Sequence, residues 1–186
     1  MEDHHHSALA GAAAKGAPPS PAVLSEYWGA PAEIRAHLHA EGPLAVLDYW
    51  ERLRGPRRFP SRADFNPMEV RKYLPLIFML DVLPDETWRY RVVGSVIADF
   101  FGAGNPVGKT PEEIFSANAE VALTPLRLCT RERAPYMHTA SASWLYRDRT
   151  FVHYTVLLLP FGESDDAVDK VLCVAEFVSE EEAARS

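Results

Sequence analysis

The chain has few cysteines and no recognisable metal or redox motif. Cys129 and Cys173 are the two cysteines among 186 residues, and neither forms a CxxC pair or lies at ligand spacing from a histidine. A disulfide scaffold and the common zinc motifs are therefore excluded. Both cysteines have apolar neighbours, so we expect two buried thiols.

Long apolar runs and an excess of basic residues are also missing. No stretch approaches the roughly 18 apolar residues of a membrane span, and the N-terminus lacks the charged and apolar regions of a signal peptide. With 19 Lys and Arg against 26 Asp and Glu, the net charge is -7, which does not attract phosphate backbones. We expect a cytoplasmic protein with no membrane span and no nucleic-acid partner.

No grouping of residues has the character of a catalytic site. No Ser-His-acid set stands out, and the acids embedded in apolar sequence have ordinary explanations as caps, solvent-facing positions or arginine partners. Gly108-Lys109-Thr110 matches the end of a P-loop, but Ala103 stands where that motif needs its first glycine. We therefore predict that the protein is not an enzyme.

The second half of the chain does contain a clear pattern of secondary structure. A helical stretch over residues 95–133 separates two strand-like runs from three longer ones, in which apolar residues alternate. The five predicted strands cover residues 76–83, 88–94, 135–146, 150–161 and 170–178. This order predicts an α+β fold: a five-stranded antiparallel sheet with helices on one face and an N-terminal flanking helix.

The chain length fits one domain with tails on both sides. Residues 1–30 are expected to be a disordered tail rich in Ala, Gly and Pro, in which His4, His5 and His6 have no structural role. Residues 31–178 are expected to form one domain with an N-terminal helical extension. Residues 179–186 form an acidic tail, and we expect no output domain after the sheet.

The predicted flanking helix over residues 43–53 has an apolar stripe formed by Leu44, Leu47, Trp50 and Leu53. This stripe is wider than one contact with a sheet requires. Because exposed aromatic patches are typical of interfaces, we predict a homodimer built on these four residues.

Four segments carry a resemblance to a known family. They are PSRADFNPMEVRKYLPLIFMLDV, WRYRVVGSVIADFFG, NPVGKTPEEIF and YTVLLLPFGESDDAVDKVLCVAEF. Over residues 44–178 the chain resembles PAS_5, a PAS-fold family of small bacterial signalling proteins of alphaproteobacterial type. The resemblance implies a PAS core with an N-terminal helix packed on or beside the sheet.

PAS domains hold ligands between the inner face of the sheet and the helices, so the resemblance also implies a place for a pocket. On the third predicted strand, the face with small alanines between larger side chains is the better candidate for the pocket side. The candidate ligand-binding residues are Tyr90, Val92, Phe100, Phe115, His138, Ala140, Ala142 and His153. We expect a small, largely apolar ligand.

His138 and His153 allow two interpretations. They could pair across adjacent strands as haem or metal ligands or as a pH sensor, or each could be a half-buried histidine that bonds to a neighbour. We favour the second. Oxygen-sensing PAS domains bind haem through a histidine of the central helix, and residues 112–133 contain no histidine. Photoreactive flavin-binding PAS domains need a cysteine between the helices, and this chain has none near residues 102–106. We therefore predict no cofactor and no metal.

A local run of arginines, namely Arg52, Arg54, Arg57, Arg58 and Arg62, also allows two interpretations. It could dock an acidic partner or a phosphate, but a solvated face that pairs with the acidic surplus is favoured.

The function expected from these features is a non-enzymatic, single-domain PAS sensor. It would bind a small ligand or a partner protein and pass its signal to an unidentified signalling protein. One alternative is a small-molecule enzyme or carrier on a cone-shaped α+β fold with an apolar pocket, in which the helices precede most strands. Another is a dimerisation module with a filled core.

Overall fold

A computed structural model describes residues 23–102, 104–142 and 152–179. The strands are β1 (Val23–Trp28), β2 (Ile77–Leu83), β3 (Thr87–Val93), β4 (Tyr136–Ser141), β5 (Val152–Phe161) and β6 (Lys170–Ser179). They form a single sheet in the order β1-β4-β5-β6-β2-β3, and every neighbouring pair is antiparallel. The predicted α+β class and antiparallel sheet are confirmed, with six strands where the sequence predicts five.

The helices are α1 (Pro31–His37), α2 (Glu41–Arg54), α3 (Ser95–Phe101), α4 (Pro111–Phe115) and α5 (Glu120–Glu132). Shorter 3₁₀ segments lie at Arg62–Asp64, Pro67–Leu76, Pro84–Glu86 and Ser116–Asn118. The last three α-helices fall between β3 and β4, which is the predicted position of the helical stretch. This order differs from that of a cone-shaped fold, whose helices precede most strands.

The two faces of the sheet carry separate cores. The helices α3, α4 and α5 cover one face, where Trp88, Tyr90 and Val156 are buried. The opposite face packs against α1, α2 and the following 3₁₀ segments through residues such as Met137 and Leu157. Because side chains alternate along a strand, β5 contributes Leu157 to one core and Leu158 to the other. Both faces of this strand are therefore covered.

The strand β1 corrects the prediction of a disordered tail over residues 1–30. Residues 23–28 pair with β4, the Gly29 amide donates to the Pro135 carbonyl at 3.1 Å, and Tyr136 Oη donates to Glu26 at 2.9 Å. Composition alone missed this strand because its stability comes from pairing with a segment more than 100 residues later. Residues 1–22 of the predicted tail lie outside the described residues, as does the predicted end of β4 beyond residue 142.

Local sequence signals set the helix boundaries. The Thr110 hydroxyl accepts from the Glu113 amide, and the Glu113 carboxylate accepts from the Thr110 amide, which is a complete capping box at the start of α4. Pro125 lies inside the single helix α5. Gly94 lies at the start of α3, and its amide donates to the Ile77 carbonyl at 2.7 Å, which fixes the end of β3 beside the start of β2.

Candidate ligand-binding site

A cavity of about 70 Å³ lies between the sheet and the helices α3, α4 and α5. The sheet lines it with Phe78, Tyr90, His138, Tyr154, Val156, Leu158, Cys173, Ala175 and Phe177; the helices add Ile97, Phe100, Phe101, Phe115, Val121, Ala122, Pro125 and Leu126. The walls are therefore aromatic and aliphatic, with a few polar atoms. Such a concave apolar site with a few convergent polar groups is typical of a small-molecule pocket.

The structure brings four of the eight predicted pocket residues to this cavity. Tyr90, Phe100, Phe115 and His138 line it. Ala140 in β4 and Ala142 just after this strand are fully buried, but they belong to the surrounding core and do not line the cavity. The two remaining residues, Val92 and His153, face elsewhere.

Val92 is displaced by a β-bulge. Val92 pairs with Met79, whereas Tyr90 pairs with the next residue of β2, Leu80, so Arg91 is an extra residue in β3. One extra residue inverts the alternation of side chains along the strand. As a result Tyr90 and Val93 pack on the helix-covered side, and Val92 is 48 % exposed. The prediction that Val92 lines the pocket is therefore corrected.

His153 lies on the opposite side of β5 from the cavity. Its cross-strand partner is Ser141, while His138 pairs with Val156. On β5 the side chains of Tyr154 and Val156 enter the helix-side core, so His153 is one residue out of phase with them. The two histidines are not cross-strand partners, and the interpretation in which they jointly hold a haem or a metal is wrong.

His138 is 5 % exposed and has one partner for its two ring nitrogens. Its Nε2 lies 3.3 Å from the Tyr154 hydroxyl, whereas no described residue lies within hydrogen-bonding distance of the buried Nδ1. Burial disfavours the imidazolium and lowers the pKa of His138 to about 4. The ring is therefore neutral at physiological pH, and one of its nitrogens lacks a hydrogen bond.

Other polar groups at the cavity are also held neutral by burial. Desolvation raises the pKa of the Tyr90 hydroxyl well above its ordinary value, and it raises the pKa of the Cys173 thiol in the same way. Cys129, behind the cavity in α5, is likewise buried, so the predicted pair of buried thiols is confirmed. None of the described residues that line the cavity is Asp, Glu, Lys or Arg.

The cavity also depends on aromatic residues outside the predicted set, among them Phe101 and Phe177. Phe100 and Phe177 have ring centroids 4.3 Å apart, and Phe101 meets Phe115 edge to face at 5.0 Å. Phe177 follows Cys173 and Ala175 at alternate positions of β6, so strand periodicity could have identified it. Phe101 and Leu126 required the relative placement of two helices, which the sequence does not specify.

Of the four residues predicted to form a dimer interface, two are buried inside the domain and two lie at the edge of its core. Leu47 and Trp50 are 0 % and 1 % exposed against the sheet, and Leu44 and Leu53 pack at the edge of the same core. Trp50 Nε1 donates to the Pro160 carbonyl at 2.9 Å. The stripe covers a sheet face together with α1 and the 3₁₀ segments, which explains its width. Leu47 and Trp50 are therefore not available to a second copy.

The arginine run divides into ion pairs and loop contacts. Arg52 pairs with Glu69 at 2.5 Å and Arg57 pairs with Asp64 at 2.6 Å. Arg58 donates to the carbonyls of Glu132 and Arg133 at the end of α5. These contacts agree with the interpretation as a solvated face.

The chain matches a known protein family. The model of the family PAS_5, described as a PAS domain, matches residues 39–175, which is well over half of the chain. The matched region begins after α1, so β1 and α1 precede it. No curated protein matches the chain. In the part of the chain that the structure describes, no helix is long and apolar enough to cross a membrane, and no group of three or more His, Cys, Asp or Glu side chains is placed to hold a metal ion.

Proposed function

The chain belongs to the PAS_5 family of PAS domains, and from this membership we propose that it is a non-enzymatic sensor module that binds a small ligand in the helix-side cavity. In this proposal, ligand binding changes the packing of the domain, and a separate effector protein reads the change. PAS domains are in general sensor modules of signalling proteins. A fold does not by itself define a ligand, so the proposal depends on the site.

The observation that carries the proposal is the apolar cavity beneath α3, α4 and α5. Protein cores are close-packed and contain few voids larger than one water molecule. A volume of about 70 Å³ exceeds that of a single water site, and the small side chains of Ala122 and Ala175 contribute to it. This cavity favours a ligand-binding module over a dimerisation module with a filled core.

The sheet offers a physical route from the cavity to the rest of the domain. Leu158 lines the cavity, while its neighbours Leu157 and Leu159 are fully buried in the core beneath α2. Because close-packed cores transmit displacement, we propose that a ligand which shifts β5 also shifts α2 and the helices around it. The effector would then recognise the N-terminal helical face.

Native mass spectrometry of the purified protein tests the proposal. We expect a bound small molecule that is lost on denaturation. The Ala122→Leu variant should lose this molecule because its added side chain fills the cavity, while the control Ala36→Leu, at an exposed position of α1, should keep it. A mass equal to that of the bare chain, or a ligand retained in full by Ala122→Leu, contradicts the proposal.

A further inference from the structure

The chemistry of the cavity wall restricts the charge of its occupant. Among the described residues, His138, Tyr90, Tyr154 and Cys173 supply the polar atoms of the wall, and none that lines it is an acid or a strong base. An ionised ligand would give up its hydration without meeting an opposite charge, which is among the costliest events in binding. An uncharged molecule avoids this cost.

The cavity also offers an unsatisfied hydrogen-bonding group. In most structures a buried polar atom has a partner, and exceptions indicate a functional role or an absent bonding group. His138 is such an exception, because nothing among the described residues bonds to its Nδ1 while Nε2 contacts Tyr154. Because His138 lines the cavity, an occupant that reached its Nδ1 would supply the missing partner.

We propose that the cavity binds an uncharged molecule with a single hydrogen-bonding group, which pairs with the imidazole of His138. At about 10–15 Å³ for each water-sized atom, the volume of about 70 Å³ accommodates roughly five to seven heavy atoms. This inference rests on the proposed function, since it names the class of ligand for the same site. The remaining atoms of the ligand are apolar and contact the aromatic walls.

A hydroxyl is the group that suits this site best. A neutral imidazole has one nitrogen that donates and one that accepts, and the Tyr154 hydroxyl can take either role toward Nε2. The free nitrogen is therefore a donor in one tautomer and an acceptor in the other. A ligand hydroxyl can bond to both forms, whereas a carbonyl requires the donor form.

Phenol, toluene and benzoate test the inference as probes. Phenol and toluene have the same ring and differ in whether they carry a hydroxyl or a methyl group, and benzoate is charged. Affinities come from NMR titrations of the full chain, followed at the backbone amides of His138 and Leu126. We expect phenol and toluene to bind at millimolar concentrations or below, and benzoate to bind more weakly than phenol.

The decisive variant is His138→Phe, with His153→Phe on the opposite face of the sheet as its matched control. Loss of the imidazole leaves the buried hydroxyl of phenol without a partner, so the ratio of the phenol to the toluene dissociation constant should rise about tenfold. The same ratio should stay at its wild-type value in His153→Phe. Because toluene responds equally to any change in cavity shape, the ratio isolates the hydrogen bond.

The outcomes separate this inference from the proposed function. If both neutral probes bind but the ratio is unchanged in His138→Phe, or if benzoate binds as tightly as phenol, the inference is wrong while the cavity remains a ligand site. If neither neutral probe binds to the wild-type protein, the proposed function fails as well.

Discussion

At the scale of single residues, His138 links the site to the stability of the fold. The folded state holds its imidazole neutral, with a pKa of about 4, whereas an exposed histidine in the unfolded chain titrates near 6.5. Between these two values the unfolded state binds the proton and the folded state does not. Acidification through this window therefore favours unfolding.

The free energy of unfolding should consequently fall by about 2 kcal/mol between pH 7 and pH 5, through this one group. Full stability is present above pH 6.5 and is lost as the pH falls toward 4. Urea denaturation at several pH values measures the effect, and His138→Phe should flatten the slope. Carboxylates such as Glu41 and Asp64, whose pKa values are lowered by their ion pairs, act at lower pH and do not obscure it. An equal slope in the variant would show that other groups dominate.

At the scale of elements, α2 is the main cover of the sheet face opposite the cavity. Leu47 and Trp50 are buried against β5 and β6, and Gly42 at the start of the helix donates its amide to Glu176 of β6 at 2.8 Å. The helix is thus attached to the sheet by its apolar stripe and by the hydrogen bond at its N-terminal end. Its exposed face carries charged residues such as Asp48 and Arg52.

Truncation of a buried residue of the stripe should therefore destabilise the fold and should not dissociate a dimer. Leu47→Ala should lower the free energy of unfolding by about 3 kcal/mol, because it removes a fully buried side chain and leaves a cavity. The control Arg52→Ala, which removes an exposed ion pair on the same helix, should cost less than about 0.5 kcal/mol. Urea denaturation gives both values. Sedimentation equilibrium should give Leu47→Ala the same mass as the wild type while it remains folded; a smaller mass would restore the predicted interface.

The junction of β3 and α3 is a second sensitive element. A Cβ at Gly94 would collide with the carbonyl oxygens of Leu74 and Pro75, which are backbone atoms and cannot rotate away. Gly94→Ala should therefore lower the free energy of unfolding by about 2 kcal/mol or more. The neighbouring Ser95→Ala, at an exposed position, serves as control and should be close to neutral in the same thermal or chemical denaturation.

Elements of the fold that depend on local sequence could be predicted, and those that depend on contacts between distant segments could not. Alternating apolar residues predict β2 through β6 because this signal is local. The strand β1 depends on pairing with β4, and the bulge at Arg91 depends on the register with β2. Neither the strand β1 nor the bulge leaves a local signature in the sequence. The predicted disordered tail is therefore too long, and the predicted orientation of Val92 is wrong.

The site was partly predictable for the same reason. Strand alternation placed Tyr90 and His138 on the correct face, but whether a residue on that face meets a cavity or a neighbouring side chain depends on how the helices pack. Ala140 and Ala142 show this, since both are buried on that face and neither lines the cavity. The separation of His138 and His153 also depends on a long-range register, because His153 pairs with Ser141.

At the scale of the whole molecule, one sheet separates a cavity from a tightly packed core. The helices α3, α4 and α5 enclose the cavity on one side, and α1 and α2 close the other side around fully buried residues such as Ile34 and Leu157. The two sides share β5 and β6. In the proposed sensor, the ligand would bind on one face of the sheet and the effector would recognise the other.

A crystal structure under xenon pressure tests the central claim most directly, namely that the cavity is a ligand site. Xenon enters apolar cavities of sufficient size without specific polar contacts. We predict one strong xenon site bounded by Phe101, Leu126 and Leu158, and its loss in Ala122→Leu. Side chains that fill this space, with no xenon between the sheet and α5, would contradict the claim and would favour a dimerisation module with a filled core.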